Sequence, residues 1–379
     1  MAIDIRGGVA PGFDRVRHCF AANFERDDAY LELGASLAVY RGQELVVDLS
    51  AGYRDTGRAS PWTSETLANV WSTTKGVTAI AVAVLVDRGL IDYAAPVAQY
   101  WPQFAQNGKA AITVAQLLSH QGGLPGFVEP TTLEDFYDWP TVSARLASQP
   151  PMWEPGTKNS YHAMTFGFLA GELIRRVSGM SVGQFVATQL AGPLNADVFI
   201  GLPQSEEHRV APLIAPRSEA VLNPAGLAPE ALAALINPPM TPTIPNQRAW
   251  RAAEIPAGNG HASALGLARL YASLANGGVL GDVRIMRPDT IAALARVQTK
   301  RVDLMLGFAP YWGAGVAGNA AGLFGPKPNV FGHCGWGGSF GCADTQAAVS
   351  IGYVMNQMGD RIVGDPRTTA LCNAIYECV

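Results

Sequence analysis

The chain has 379 residues, of which 48% are hydrophobic and 15% are charged, and its formal net charge is −4. This composition predicts a globular protein with a large core, in one domain or two closely packed ones, and excludes an extended disordered chain. Because Arg and Lys are scattered without a basic run, neither nucleic acid nor an acidic membrane surface is expected as a partner.

The N-terminal residues and the cysteines bear on the cellular compartment. Residues 1–14 contain no charged stretch followed by an apolar one, so they do not resemble a secretory signal, and no apolar stretch is long enough to cross a bilayer. The five cysteines are widely spaced and have neither C-x-x-C nor zinc-type spacing. These observations predict a cytoplasmic protein with reduced thiols and no membrane attachment.

The first elements along the chain are a helix and a hairpin. Apolar residues at helical spacing within residues 11–28 predict an amphipathic helix. Residues 35–40 and 44–49 flank a short polar turn and predict a β-hairpin.

Residues 72–75, with the sequence STTK, carry the most specific chemical signal. They match S-x-x-K, in which a lysine one helical turn from a serine activates its hydroxyl. The apolar residues 76–86 that follow predict a buried helix, too short to span a membrane, with Ser72 at its positive end. A buried Lys75 with a lowered pKa can take the serine proton. The alternative is a serine that only caps the helix, with Lys75 facing solvent.

The middle of the chain, from residue 96 to about 255, is rich in proline and predicts loops and short helices. The clearest helices are predicted at residues 113–120, 163–178, 229–236 and 261–276. The last part of the chain predicts strands at residues 302–308, 311–316, 339–345 and 347–356, and a helix at 366–378.

Strands at both ends and helices between them predict an α+β fold. We expect an antiparallel sheet flanked by helices, together with an inserted all-helical region. Residues 1–95 and 256–379 would form the sheet domain and residues 96–255 the mostly helical one. The active site is expected in the cleft between them.

Tyr161 is a second candidate for chemistry. A Pro-Gly turn at residues 155–156 precedes it and places it at the start of a predicted helix. A tyrosine close to a lysine ammonium can have a lowered pKa and carry protons. The alternative is an ordinary amphipathic tyrosine at a helix start.

The glycine-rich residues 331–339 are a third candidate. Glycines on a strand beside a cleft allow a ligand to come close to the backbone, and the N–H groups of such a strand can stabilise an oxyanion. The alternative is that these glycines only form a tight junction between strands. Residues 337–341 also match G-x-S-x-G, the nucleophile motif of α/β-hydrolases. That fold places its histidine after the serine, and no histidine follows Ser339. Ser339 is therefore rejected as the nucleophile.

Three motifs occur in the order found in a known superfamily. STTK at residues 72–75, YHA at 161–163 and HCG at 333–335 resemble the S-x-x-K, Y-x-N and K-T-G boxes of the serine β-lactamase and penicillin-binding superfamily, in its class C-like branch. Within that branch the chain resembles the family VIII carboxylesterases, from about residue 35 to residue 355.

Two departures from these boxes favour an ester over a β-lactam. Ala163 replaces the asparagine that contacts the amide side chain of β-lactams, and His333 replaces the lysine that helps to hold their carboxylate. Both changes weaken recognition of an anionic amide, and the charge of a histidine would change near pH 6.5. His333 is therefore expected to line the site and to give the pH profile an acid limb.

The resemblance implies a serine hydrolase that cleaves small, short-acyl carboxylic esters through an acyl-enzyme on Ser72. Lys75 and Tyr161 would relay the proton, and which of them is the base stays open. The backbone amides of Ser72 and Trp336 would form the oxyanion hole, beside Gly335. No metal or organic cofactor is implied. The alternatives are a β-lactamase, a lactonase or amidase, an acyltransferase, or a catalytically silent binding protein on the same fold.

Three aromatic residues are candidates for the walls of the acyl or alcohol pocket. They are Phe127, Trp153 and Trp336, and two of the three are expected to belong to the core instead. The natural ester, the acyl chain length and the oligomeric state are not determined by the sequence.

Overall fold

The computed structural model describes residues 3–218 and 226–379. Its α-helices are α1 (Asp14–Ala22), α2 (Thr73–Asp87), α3 (Val97–Tyr100), α4 (Val114–Leu118), α5 (Trp139–Ser148), α6 (Thr165–Ser178), α7 (Val182–Val186), α8 (Pro229–Ile236), α9 (Arg248–Ala252), α10 (Ala264–Ala275), α11 (Pro288–Ala295) and α12 (Pro366–Tyr376). Its strands are β1 (Ile5–Val9), β2 (Gly34–Arg41), β3 (Glu44–Gly52), β4 (Ala68–Asn69), β5 (Val198–Phe199), β6 (His261–Ala262), β7 (Val279–Leu280), β8 (Val283–Arg284), β9 (Ala317–Gly318), β10 (Phe331–Cys334), β11 (Phe340–Asp344) and β12 (Val349–Met355).

A seven-stranded antiparallel sheet, in the order β1-β3-β2-β12-β11-β10-β9, joins the two ends of the chain. Its centre is the pair β2–β12, in which Leu37 lies opposite Tyr353. Every residue of β12 is buried, and α10 packs against β2, β11 and β12. The predicted α+β fold, with an antiparallel sheet flanked by helices, is confirmed.

Helix α2 lies at the centre of the molecule. All its residues from Thr73 to Leu85 are buried, as expected for a helix that is apolar on every side. It packs against α6, α11 and β10. A Cβ at position 76 would lie 2.1 Å from the hydroxyl oxygen of Tyr271 and 3.2 Å from the Cβ of His333 in β10, so glycine is the residue that this close packing accommodates.

A small three-stranded sheet, β4-β6-β5, supports the segment that leads into α2. In it β6 pairs with β4 on one side and with β5 on the other. The proposed division of the chain at residues 95 and 256 stays a prediction, and β5 lies inside the segment assigned to the helical domain. In the described residues, no helix combines the length and apolarity needed to cross a membrane.

Two predicted strands, at residues 302–308 and 311–316, are wrong. These residues form turns organised by the buried Asp303 carboxylate, which accepts hydrogen bonds from the backbone amides of Met305 at 3.0 Å and Leu306 at 3.2 Å. Tyr311 has a φ of +56°, which a regular strand does not allow. The alternating apolar pattern therefore reflects burial in a loop. Strand β1, a short glycine-containing strand, was not predicted.

Candidate active site

A strained turn presents Ser72 at the start of α2. Trp71, the preceding residue, has a φ of +43°, a conformation that is uncommon for a bulky side chain. Its backbone amide donates to Oδ1 of Asn69 at 3.0 Å, and the Asn69 amide group donates to the Gly258 carbonyl at 3.1 Å. These two bonds hold the turn in a conformation that the sequence alone would not favour.

Lys75 lies beside Ser72 in a completely buried position. Its Nζ is 2.9 Å from Oγ of Ser72 and donates a hydrogen bond of 2.9 Å to the carbonyl oxygen of Ala257. Burial lowers the pKa of Lys75 well below its usual value, because a buried ammonium loses its hydration. The alternative of a solvent-facing lysine is therefore wrong.

Tyr161 completes this group. It is buried, and its ring centroid lies 4.7 Å from Nζ of Lys75. Burial raises the pKa of its phenol, while a hydrogen bond with Ser72 works in the opposite direction. Burial therefore acts against the lowered pKa that the sequence allowed for Tyr161, and it also disfavours the lysine ammonium on which that interpretation depended.

The turn after β10 lies against the turn that carries Ser72. The Gly335 amide donates to the Ser339 carbonyl at 2.7 Å, and a Cβ on Gly335 would lie 2.2 Å from the Val70 carbonyl oxygen. Within residues 3–218 and 226–379, no protein acceptor is recorded for the backbone amides of Ser72 and Trp336. An oxyanion hole formed by these two amides stays a prediction.

Ser72 opens into a cavity of about 240 Å³. The aromatic residues on its walls are Trp71, Tyr161 and Trp336. Its aliphatic and thioether walls include Met164, Leu235, Ile236, Met240, Met305 and Ile362. The cavity therefore suits a small, apolar group next to the serine.

Of the three predicted wall aromatics, Trp336 lines the cavity and the other two do not. Phe127 is buried against Phe136, with ring centroids 5.7 Å apart. Trp153 is buried against the ring of His162. Phe127 and Trp153 thus belong to the core, in agreement with the expectation that two of the three would do so.

His333 lies behind Ser72, Lys75 and Tyr161 and is not on the cavity wall. Its ring is buried, stacks on Trp312 at 5.7 Å between centroids, and its Nδ1 lies 2.8 Å from the Cys334 carbonyl oxygen. Burial, assisted by Lys75, lowers the pKa of His333 to about 3. The predicted change of charge near pH 6.5 is therefore wrong, and the side chain is a neutral packing group at neutral pH.

Ser339 is buried as well, and its Oγ donates to the Val70 carbonyl at 2.8 Å. It is not among the residues that line the cavity. This position agrees with its rejection as the nucleophile.

Several residues around Tyr161 were missed by sequence reasoning. Trp312 stacks on the tyrosine ring with an interplanar angle of 11°, and His120 packs against it at 4.9 Å between centroids. Oδ1 of Asp303 accepts from the Tyr161 amide at 3.0 Å. None of these residues belongs to a recognisable motif with Tyr161, and only the fold brings them together.

Four buried histidines predict that the protein loses stability in acid. Burial lowers the pKa of His162 to about 4 and those of His261 and His333 to about 3, and it lowers that of His120 well below the usual value. In the unfolded chain these side chains bind protons near pH 6.5. Below that pH the unfolded state therefore gains protons that the folded state cannot bind. Each histidine should lower the free energy of unfolding by up to about 1.4 kcal/mol per pH unit between about pH 6.5 and 4.

Thermal denaturation at pH 7, 6 and 5 measures this effect, and we expect the Tm to fall at each step. His261→Gln is the informative variant, because His261 lies in β6, apart from Ser72, Lys75 and Tyr161. Glutamine does not titrate, so the pH dependence of the free energy of unfolding should be smaller by about one proton in this variant. A Tm that stays constant from pH 7 to 5 would contradict the prediction.

Comparisons with known proteins show the family to which the chain belongs. The sequence profile of the family described as Beta-lactamase matches residues 20–371. The Mycobacterium tuberculosis protein named Esterase/beta-lactamase LipL is 36% identical over 363 residues, which cover 93% of this chain and 83% of that protein.

Two solved structures share the whole fold. A family VIII carboxylesterase superposes with a TM-score of 0.94 at 48% identity, over 100% of both chains. A penicillin-binding protein homologue from Caulobacter crescentus gives a TM-score of 0.93 at 40% identity, over 99% of this chain and 100% of that one. With the profile match over most of its length and these relatives, the chain belongs to the beta-lactamase family.

Proposed function

We propose that the protein is a serine carboxylesterase that cleaves small, short-acyl esters through an acyl-enzyme on Ser72. The observation that carries this proposal is the contact of 2.9 Å between Oγ of Ser72 and Nζ of a fully buried lysine. A serine hydroxyl needs an adjacent base to become nucleophilic at neutral pH, and a lysine becomes such a base when burial lowers its pKa.

Lys75 is assigned as the base of the acylation step. Burial disfavours its ammonium form and so favours the free amine, and one of its N–H groups is directed to the Ala257 carbonyl. The nitrogen lone pair is then available to the hydroxyl of Ser72. The serine oxygen attacks the ester carbonyl as its proton passes to Nζ, and the amides of Ser72 and Trp336 hold the resulting oxyanion.

Tyr161 is assigned as the acid that protonates the leaving alcohol. Its raised pKa keeps the phenol protonated, and it lines the same cavity as Ser72, next to Lys75. The phenol gives its proton to the departing alkoxide and recovers one from Lys75. Water then attacks the acyl-enzyme by the reverse sequence of proton transfers and releases the acid.

The substrate class follows from the cavity and from the relatives. An ester with a short, uncharged acyl group fits an apolar cavity of about 240 Å³. Ala163 and the neutral, buried His333 offer little to the amide and carboxylate of a β-lactam. A relative of 48% identity is a family VIII carboxylesterase, and LipL is named both an esterase and a beta-lactamase. Slow turnover of β-lactams is therefore the second candidate activity.

We also propose a cytoplasmic location. All five cysteines are free, and three of them are buried. Free thiols are typical of proteins that work in a reducing compartment.

The assigned roles predict that Lys75 and Tyr161 variants differ in their response to the leaving group. Protonation of the alcohol matters for ethyl butyrate, whereas p-nitrophenolate leaves without it. We expect Tyr161→Phe to lower kcat/KM by about 10²–10⁴-fold on ethyl butyrate and by clearly less on p-nitrophenyl butyrate. The comparison uses kcat/KM because it reports acylation, whereas kcat also includes hydrolysis of the butyryl-enzyme that both esters share. Lys75→Met should lower kcat/KM on both esters alike. Initial rates by pH-stat and by absorbance measure the two series.

Three other outcomes would reject parts of the proposal. Equal losses for Tyr161→Phe on the two esters would remove its role as the acid. A wild-type kcat/KM for nitrocefin equal to or above that for p-nitrophenyl butyrate would make the protein a β-lactamase. No turnover of any ester, lactone, amide or β-lactam, together with failure of a fluorophosphonate probe to label Ser72, would leave a silent binding protein.

A further inference from the structure

We propose that Asp360 makes the substrate cavity selective against esters that carry a negative charge near the scissile carbonyl. This inference rests on the proposed esterase function and refines its substrate class to uncharged or cationic acyl groups. Asp360 follows β12 in the chain and lies on the wall of the cavity into which Ser72 opens.

The carboxylate of Asp360 is held in place from outside the cavity. Its Oδ1 accepts a hydrogen bond from the phenol of Tyr30, and its Oδ2 accepts one of 2.7 Å from Oγ of Ser218. Neither donor lines the cavity, and each carboxylate oxygen has a second lone pair. The negative charge therefore has a fixed position relative to the reacting serine.

Asp360 is ionised at neutral pH. Partial burial opposes ionisation, but the hydrogen bonds from Tyr30 and Ser218 and the charge of Arg361 lower the pKa of this carboxyl below its usual value. Arg361 itself is exposed to solvent and is not a wall residue. Solvent therefore screens the charge of Arg361 more strongly than it screens the charge of the half-buried Asp360 carboxylate.

Among the described residues that line the cavity, Asp360 is the only one with a charged side chain, so no cation on these walls balances its charge. Lys75 contacts Ser72 from within the core, where burial disfavours its ammonium form, and burial lowers the pKa of the nearby His333 to about 3. The indole N–H groups of Trp71 and Trp336 have no partner among the described residues, but they are uncharged donors. A substrate carboxylate would therefore find no cationic partner on these walls.

The size of the cavity makes the repulsion effective. A space of about 240 Å³ is roughly 8 Å across, which is about one Debye length at physiological ionic strength. A carboxylate on a four-carbon acyl chain would therefore lie within about one Debye length of Asp360, where salt weakens the repulsion but does not remove it. A methyl group at the same position carries no charge and is not repelled.

A matched pair of esters tests the proposal directly. p-Nitrophenyl butyrate and mono-p-nitrophenyl succinate have acyl groups of similar length, and they differ in a terminal methyl or carboxylate. The quantity measured is the ratio of kcat/KM for the anionic ester to that for the neutral one. We expect Asp360→Asn, which keeps the size of the side chain and removes its charge, to raise this ratio by about 3- to 10-fold. The gain should shrink in high salt.

Asp282→Asn is the matched control. Asp282 is exposed in the turn between β7 and β8 and does not line the cavity, so this change removes the same charge outside the site. It should leave the ratio unchanged. A ratio that is the same in wild type and Asp360→Asn, or that rises equally in Asp282→Asn, would overturn the proposal.

A binding measurement separates this inference from the esterase proposal. N-(p-nitrophenyl)butanamide and N-(p-nitrophenyl)succinamic acid carry the same two acyl groups on a bond that is hard to cleave. Their Kd values, measured by calorimetry, should show the same shift in Asp360→Asn. If the shift occurs and no ester is turned over, the charge selectivity stands and the esterase proposal fails. If esters are turned over and neither ratio shifts, the esterase proposal stands and the role of Asp360 fails.

Discussion

Replacing Ser72 with alanine is expected to lower kcat for p-nitrophenyl butyrate by at least about 10³-fold, because the acyl-enzyme can no longer form. KM should change little, since the cavity walls are untouched. Ser72 makes no side-chain capping bond to α2, so the loss of stability should be limited to that of its hydrogen bond with Lys75, about 1 kcal/mol. Initial rates and thermal denaturation of the purified variant measure the two effects.

Ser339→Ala is the control, because Ser339 lies in the competing G-x-S-x-G sequence. Its hydroxyl is buried and bonded to the Val70 carbonyl, so we expect a loss of stability of about 1 kcal/mol and most of the activity retained. An inactive Ser339→Ala next to an active Ser72→Ala would refute the assignment of the nucleophile.

Replacing Arg367 with methionine is expected to destabilise the protein by about 3–5 kcal/mol. The guanidinium is completely buried and bonds to Glu32 at 2.9 Å and to Asp365 at 2.7 Å, both of which are buried. Without it two carboxyl groups remain in the core without their cationic partner. Chemical denaturation measures the change, and Arg361→Met, on the exposed surface nearby, should shift the free energy of unfolding by less than about 0.5 kcal/mol.

The difference in the free energy of unfolding between wild type and Arg367→Met, called the deficit below, should depend on pH. Burial raises the pKa of Glu32 to about 7, although Arg367 opposes the rise. Where folding raises the pKa of a carboxyl, the free energy of unfolding of the protein falls as the pH rises from the unfolded-state pKa to the folded-state pKa. Removal of Arg367 raises that value further, so the deficit should grow between pH 7 and 8.5. A variant within 1 kcal/mol of wild type across this range would show that the cluster contributes little.

Arg367 also reaches the candidate oxyanion hole. Its Nη2 donates to the Gly337 carbonyl at 2.7 Å, one residue after Trp336. Arg367→Lys retains the charge but cannot make all of these bonds, because an ammonium lacks the planar fork of a guanidinium. A folded Arg367→Lys variant with a lowered kcat would indicate that the cluster supports the turn as well as the core.

Much of the fold was predictable from local patterns. The hairpin β2–β3, the central helix α2 and the helices α8, α10 and α12 follow from periodicity and from the residues that end them. The two wrong strands in the region of residues 302–316 show the limit of this approach, since buried loop residues alternate in polarity as strand residues do. What organises that loop is a single carboxylate, Asp303, whose partners depend on the fold.

The sequence by itself determined the reactive pair, because Ser72 and Lys75 are one helical turn apart and any helix places them together. It also placed Tyr161 and the glycine-rich turn among the candidates through their motifs.

The tertiary structure alone decided the charges. Burial lowers the pKa of Lys75 well below its usual value, raises that of Tyr161 and lowers that of His333 to about 3. It also brings Asp360 to the cavity wall, almost 290 residues from Ser72 in the chain. Spacing in a sequence fixes short-range neighbours, whereas desolvation and long-range contacts exist only after the chain has folded.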